Sequence, residues 1–243
     1  MHLPLPKTNL TAQAHPLNLL KYGYMIFGLA VLALGVTLTI EARLGLASWG
    51  VLHQALENLT PLTFGQATQL VGLCVIVVGW SLGVGPRLAT FLNMALVGWF
   101  IDLFRVQLGP GPESLVLRGI YLVSGVAVMG LGIAMYLSAD LGAGPRDTLM
   151  IALVRRTGWP VSTLRSTLEL GVMVLGWLLG GPVGVGTVVG LVLLGPAVQV
   201  GLRVFARLEE YPGLGLIIHV PLRGPKAAAR PLVRGLAAGG END

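Results

Sequence analysis

Six stretches of the chain are almost continuously apolar: roughly 20–41, 64–82, 88–106, 115–138, 161–180 and 186–205. Each reaches the length of about 20 residues that an α-helix needs to cross a hydrocarbon core. Between the first and second stretch of each set of three lies a segment too polar to cross and too apolar for a plain loop, Leu44 to Leu59 and Leu141 to Arg156. Both open on glycine-rich backbone, Gly45 in one and Gly142, Gly144 and Pro145 in the other, then continue with Leu and Ala at helix-compatible positions. A proline there suits the first turn of a helix. The pattern predicts two short re-entrant or interfacial helices, one on each face of the membrane. The first apolar stretch runs on into Glu41 and Arg43 without a small-residue cleavage site, so it is expected to be retained and not removed as a signal peptide.

The chain repeats itself at a shift of 97 positions, the separation of Trp80 and Trp177. Gly79-Trp80-x-Leu82-Gly83 then falls on Gly176-Trp177-x-Leu179-Gly180, Thr90 on Thr187, and Gly28 and Gly35 on Gly125 and Gly132. Each copy has an odd number of spans, so the copies must cross in opposite senses. The expected fold is an all-α polytopic membrane protein with six transmembrane helices, arranged as two inverted three-helix repeats, 20–108 and 109–208, each with its short helix. A cytoplasmic tail, 1–19, precedes them, and a basic, disordered cytoplasmic tail, 209–243, follows.

Composition agrees, because 54% hydrophobic residues, 11% charged residues and a mean hydropathy of +0.78 cannot clothe a water-soluble domain. The 35 glycines suit helices that must approach closely in lipid. Three pairs four residues apart, Gly79 with Gly83, Gly176 with Gly180 and Gly186 with Gly190, serve either internal packing or a homodimer seam. With the N-terminus cytoplasmic, all of the 16 Lys and Arg residues except Arg43, Arg105 and Arg118 fall on the cytoplasmic side, which puts both termini there. The net charge of +5 then reflects orientation and attraction to anionic lipid, not nucleic acid. Cys74 is the single cysteine and can form no internal disulfide, while His2, His15, His53 and His219 are scattered. No phosphate-binding loop, dinucleotide fingerprint or His-Glu-x-x-His is present, so neither an enzyme, a metal site nor a cofactor is expected.

Polar residues inside apolar spans are expensive and therefore informative. Gln66, Thr68 and Gln69 occupy the first half of one span; Ser162, Thr163, Arg165, Ser166, Thr167 and Glu169 occupy the equivalent half of another. Arg165 and Glu169, four apart, are either a structural ion pair or an anion contact beside a proton- or cation-coupling group. Asp102 and Arg105 read as an interfacial pair at i and i+3. The candidate substrate-binding set is Trp49, His53, Gln66, Gln69, Asn93, Arg146, Asp147, Arg165 and Glu169. It fits a secondary transporter of a small solute, with an anion favoured by the arginines and by helix N-termini. A scaffold or accessory subunit whose polar groups only pack helices is the alternative. A channel fits less well, because no ring of repeated polar residues marks a pore. The partners expected are the lipid bilayer and that unidentified solute.

Several runs carry a family likeness: Leu44-Gly45-Leu46-Ala47-Ser48-Trp49-Gly50-Val51-Leu52-His53-Gln54, Leu96-Val97-Gly98-Trp99-Phe100-Ile101-Asp102, Gly176-Trp177-Leu178-Leu179-Gly180-Gly181 and Gly184-Val185-Gly186-Thr187. Over roughly 20–205 the chain resembles the YczE-type bacterial integral membrane proteins, which are related to YitT and YyaS. The resemblance implies a multi-pass protein of about six spans in the bacterial cytoplasmic membrane and brings no settled activity. Where that family tends to carry Pro-Trp-Asp in the first short segment, this chain has Ser48-Trp49-Gly50; the second segment keeps Pro145 and Asp147.

Overall fold

The computed structural model describes residues 16–142, 144–211 and 214–220. Within them the chain forms eight α-helices: α1 (Pro16–Ala42), α2 (Ser48–Leu59), α3 (Phe64–Ser81), α4 (Leu88–Leu108), α5 (Leu115–Ser138), α6 (Pro145–Thr157), α7 (Val161–Leu178) and α8 (Val185–Leu208). A 3-10 turn, Leu214–Leu216, follows. All eight helices correspond to segments expected from the hydrophobic pattern. Shifted by 97 positions, α2, α3 and α4 begin where α6, α7 and α8 begin. The loop conformations repeat as well: Arg43 and Asp140 both have positive φ, as do Gly45 and Gly142, and Gly83 and Gly180. Gly83 and Gly180 turn the chain out of α3 and α7 at φ 93° and 86°, a conformation cheap only for glycine.

Five helices are long and apolar enough to cross a membrane: Leu19–Ala42, Phe64–Ser81, Leu88–Leu108, Leu115–Ser138 and Val185–Leu208. The sixth expected, α7, falls short because Arg165, Glu169 and its hydroxyls dilute the apolar run.

The centre of the fold is the crossing of α1 and α5, where four glycines bring the backbones together. A Cβ on Gly35 would strike the backbone of Met129, one on Gly132 the backbone of Leu32, and one on Gly125 would lie 2.9 Å from Gly35 O. Dispersion and close backbone contact, not water exclusion, hold such a pair in lipid. Within the four-residue glycine pairs, Gly83 and Gly180 meet nothing within 4 Å, but the other members turn inward. Gly79 faces α6, Gly176 and Gly186 press on the backbones of Leu52 and Gly45, and Gly190 meets Ala47. These glycines therefore pack the interior or end helices.

Neither short helix lies flat on a surface. In α2, Ser48, Trp49, Val51, Leu52, His53 and Ala55 are buried, against α7 and α3. In α6, Pro145, Thr148, Leu149 and Ala152 are buried, chiefly against α3. Trp49 and Leu149 share one apolar cluster with Val75 of α3 and Leu168 and Val172 of α7, so the two short helices reach the same level of the bundle.

At the C-terminal end, Ile218 and Val220 are buried against Ala134, Met135, Leu202 and Phe205, and His219 N–H donates to Ser138 O at 2.6 Å. The segment 214–220 is thus packed, which corrects the disordered tail expected from 209. The chain up to 15 and beyond 220 lies outside the described residues.

Candidate functional site

Trp49 and Arg146 occupy equivalent positions of α2 and α6 at the 97-residue shift, and they meet: the Arg146 guanidinium sits 4.5 Å from the centre of the Trp49 ring. Side chains from the first turns of the two short helices therefore meet inside the bundle. The side chains preceding them, Ala47 and Gly144, make no capping bond, whereas α3 is closed by reciprocal bonds between Thr63 and Gln66. Uncapped first turns leave N–H groups unsatisfied and carry a positive partial charge. Ser48 Oγ, in the first turn of α2, is buried and has no protein partner, the only such side-chain atom among the described residues.

Charged and polar side chains from six helices, α2 to α7, gather at this point. Asp147 accepts a hydrogen bond from Tyr136 Oη at 3.2 Å. Arg146 lies within electrostatic reach of Glu169, Tyr136 and Asp147, and Arg165 within reach of Tyr136. His53, 3% exposed, has Nδ1 3.0 Å from Thr68 Oγ1, its ring edge-on to Phe64, and also feels Arg146. Asn93 of α4 stands against Gly144. Arg146 is open to solvent although densely surrounded by protein, as a residue lining a recess would be.

Of the nine candidate residues, seven are brought to this cluster: Trp49, His53, Asn93, Arg146, Asp147, Arg165 and Glu169. Gln66 and Gln69 are not. Gln66 is exposed and its Oε1 accepts from Thr63 N–H at 3.0 Å as part of the α3 cap. Gln69 donates from Nε2 to Ala95 O at 2.7 Å, tying α3 to α4. Gln66→Ala should cost about 1 kcal/mol of stability through the lost cap, and Gln69→Ala a similar amount, about 1 kcal/mol, through a lost buried bond. Neither should change solute binding; thermal melts and ligand titration of the purified variants check both statements.

Two expected pairings are absent. Arg165 and Glu169, both described, form no ion pair within 4.0 Å of each other. They diverge toward Tyr136 and Arg146 respectively. Asp102 does not pair with Arg105 either: it accepts from Thr63 Oγ1 and, at 2.9 Å, from Gly65 N–H. Arg105 turns instead to Glu57 at 2.6 Å and Glu41 at 3.4 Å. Glu41, 6% exposed, also accepts from Gly111 N–H at 2.8 Å. These groups line a cavity of about 710 Å³ at the end of the bundle where α1 and α4 terminate.

Tyr136 of this cluster, and Glu41 and Glu57 of the end cavity, are residues the sequence reading did not single out. Glu41 carried a readable signal, a lone carboxylate in an otherwise apolar helix. Among the described residues no three His, Cys, Asp or Glu side chains gather to hold a metal ion.

The all-helical fold, with five helices among the described residues long and apolar enough to cross a membrane, defines an α-helical integral membrane protein. The model of a family of unknown function, DUF6198, matches residues 19–203, and the chain belongs to that family. It is 36% identical over 196 residues to the uncharacterized membrane protein YczE of Bacillus subtilis strain 168, covering 79% of this chain and 90% of that protein. It is 36% identical over 188 residues to an uncharacterized protein of Haemophilus influenzae, covering 77% and 86%. It is 27% identical over 191 residues to the uncharacterized protein YyaS of Bacillus subtilis, covering 77% and 95%. The expected YczE-type membership is thereby established. No solved structure matches.

Proposed function

We propose that this protein is a secondary transporter, not an enzyme, that carries a small anionic solute across the bacterial cytoplasmic membrane by alternating access. In this reading α1, α3, α4, α5, α7 and α8 are six spans forming two inverted repeats, α2 and α6 are re-entrant, and both termini are cytoplasmic. The repeated helix starts and loop conformations support the duplication, and the polar half of α7 is the expected departure from a lipid-facing span when a helix borders a watery recess.

The observation that carries the proposal is the contact of Arg146 with Trp49, which joins the uncapped first turns of the two short helices, with Ser48 Oγ of one of those turns left unpartnered. Oxyanions suit such a place, because N–H groups, a guanidinium and a hydroxyl all donate. Asp147 and Glu169 complete a site of mixed charge, in which Glu169, beside Arg146, is suited to bind a co-transported cation or proton. Paired half-helix ends near the interface of inverted repeats are a recurring way of building such sites.

Thermal shift of the purified protein tests the reading, using phosphate, sulfate, small mono- and dicarboxylates and amino acids. At least one anion should raise the melting temperature saturably. That shift should vanish in Arg146→Ala and change in size in Glu169→Gln. A panel that stabilises nothing, or that stabilises the variants as well as the native chain, points instead to a scaffold.

A further inference from the structure

The two halves are built from the same helices but are not packed alike. In the first half, α3 and α4 are sealed: Gly65 and Gly98 approach backbone to backbone, Gln69 bonds across to Ala95 O, and Asp102 of α4 holds Thr63 and Gly65 at the start of α3. The positions 97 residues on are Ser162, Gly195, Ser166 and Gln199, and all four are exposed. A Cβ on Gly195 would meet nothing within 4 Å, and α7 and α8 share no packed interface. Instead α8 leans on α5, with Gly130 against Ala197 and Gly201 against Ala134. The equivalents of Gly130 and Gly201 in the α1–α4 contact are the bulkier Ala33 and Phe104. Pro196 lies inside α8 at the level of Gly195 and removes one helical hydrogen bond there.

The face of α7 so uncovered carries Ser162, Thr163, Arg165, Ser166 and Thr167, all exposed. Such a face is costly to leave against hydrocarbon, and a parted α7 and α8 would let water reach it.

We infer that this structure is one state of a two-state device, in which α3–α4 is closed, α7–α8 is parted, and Asp102 with Arg105 is the latch of the closed pair. The inference rests on the transport reading for its purpose and on the inverted repeat for its geometry. If the halves are interchangeable in shape, the other state has α7 packed on α8 and α3 parted from α4. Reaching it breaks the contacts of Asp102 with Thr63 and Gly65, the Gln69–Ala95 bond, and the Arg105–Glu57 pair that ties α4 to α2. The Arg105–Glu41 contact joins α4 to α1 and can survive. The second half has no such latch, because the residues equivalent to Glu57, Asp102 and Arg105 are Val154, Gln199 and Leu202. A charged latch on one side alone explains why the resting state is open on the other.

Spin-label distance measurements in lipid nanodiscs test this. In a Cys74→Ala background, one labelled pair, Leu62→Cys with Gln107→Cys, reports on α3–α4, and a second, Ser162→Cys with Arg203→Cys, reports on α7–α8. The latch variants Asp102→Asn and Glu57→Gln, with Arg105→Lys as a milder third, should lengthen the first distance and shorten the second, in antiphase. Unchanged distances, or a broadening of both without antiphase, overturn the inference. Saturable flux without antiphase motion would remove this device and leave the transport reading. Antiphase motion in a protein that moves no solute would keep the device and remove transport.

Discussion

Gly35→Val and Gly132→Val, each alone, should abolish the accumulation of folded protein in the membrane. At both positions an added side chain runs into the backbone of the opposite helix, not into the tip of a flexible side chain. Overpacking in a tight interior costs about 1–3 kcal/mol even where side chains can give way. Here α1 and α5 would have to separate, which also strips Leu29 and Ala33, both fully buried, of their neighbours. Valines at Gly23 and Gly119, each with open space around it, are the controls and should leave expression and detergent-solubilised size-exclusion profiles unchanged. Wild-type accumulation of Gly35→Val would mean that the α1–α5 crossing is not the centre of the fold.

Arg146→Ala should have the largest effect on solute handling with the smallest effect on folding. The guanidinium contributes one face of a cation–π contact and the only cation in the first turn of either short helix. It is open to solvent, so truncating it leaves no tightly packed hole. A charge-assisted hydrogen bond to an anion is worth about 1.5–3 kcal/mol, which corresponds to roughly a 10- to 100-fold loss of affinity. Arg146→Lys keeps the charge but not the fork, and should fall between. Trp49→Leu removes the ring under the guanidinium and should weaken binding by a smaller factor. Equal loss of melting temperature and affinity in Arg146→Ala would mark the residue as structural.

Much of the architecture was legible because it is written in patterns longer than one helix. The Gly-Trp-x-Leu-Gly block and the threonines that follow it report a duplication, and both threonines do the same work, Thr90 Oγ1 accepting from Arg87 N–H at 3.2 Å and Thr187 Oγ1 from Gly184 N–H at 3.1 Å. The meeting of α2 and α6 was legible only in part: proline and glycine marked the helix starts, but nothing local says that Trp49 and Arg146 touch across 97 residues. Asp102 and Arg105 were misassigned because helical spacing describes neighbours on one helix. The partners that won, Thr63, Gly65, Glu57 and Glu41, come from three others, brought near by the close approach of Gly65 and Gly98. Gln66 is a different case. Thr63-x-x-Gln66 just before an apolar run is a capping box, a local signal that outranks any cavity reading of the same residue. The uneven packing of α3–α4 and α7–α8 was not legible from the paired glycines, since Gly98 and Gly195 are both glycine; its traces are the unlike residues at equivalent positions, Asp102 against Gln199 and Arg105 against Leu202.

The account stands or falls on whether solute passes through the recess at Arg146. Counterflow in proteoliposomes measures that directly: vesicles loaded with an unlabelled anion that stabilises the protein are diluted into the same anion carrying a radiolabel. The account predicts transient label accumulation that saturates with concentration and is lost in Arg146→Ala at unchanged reconstitution. Label that enters no faster than into empty liposomes, or that enters equally well with Arg146→Ala, would contradict it.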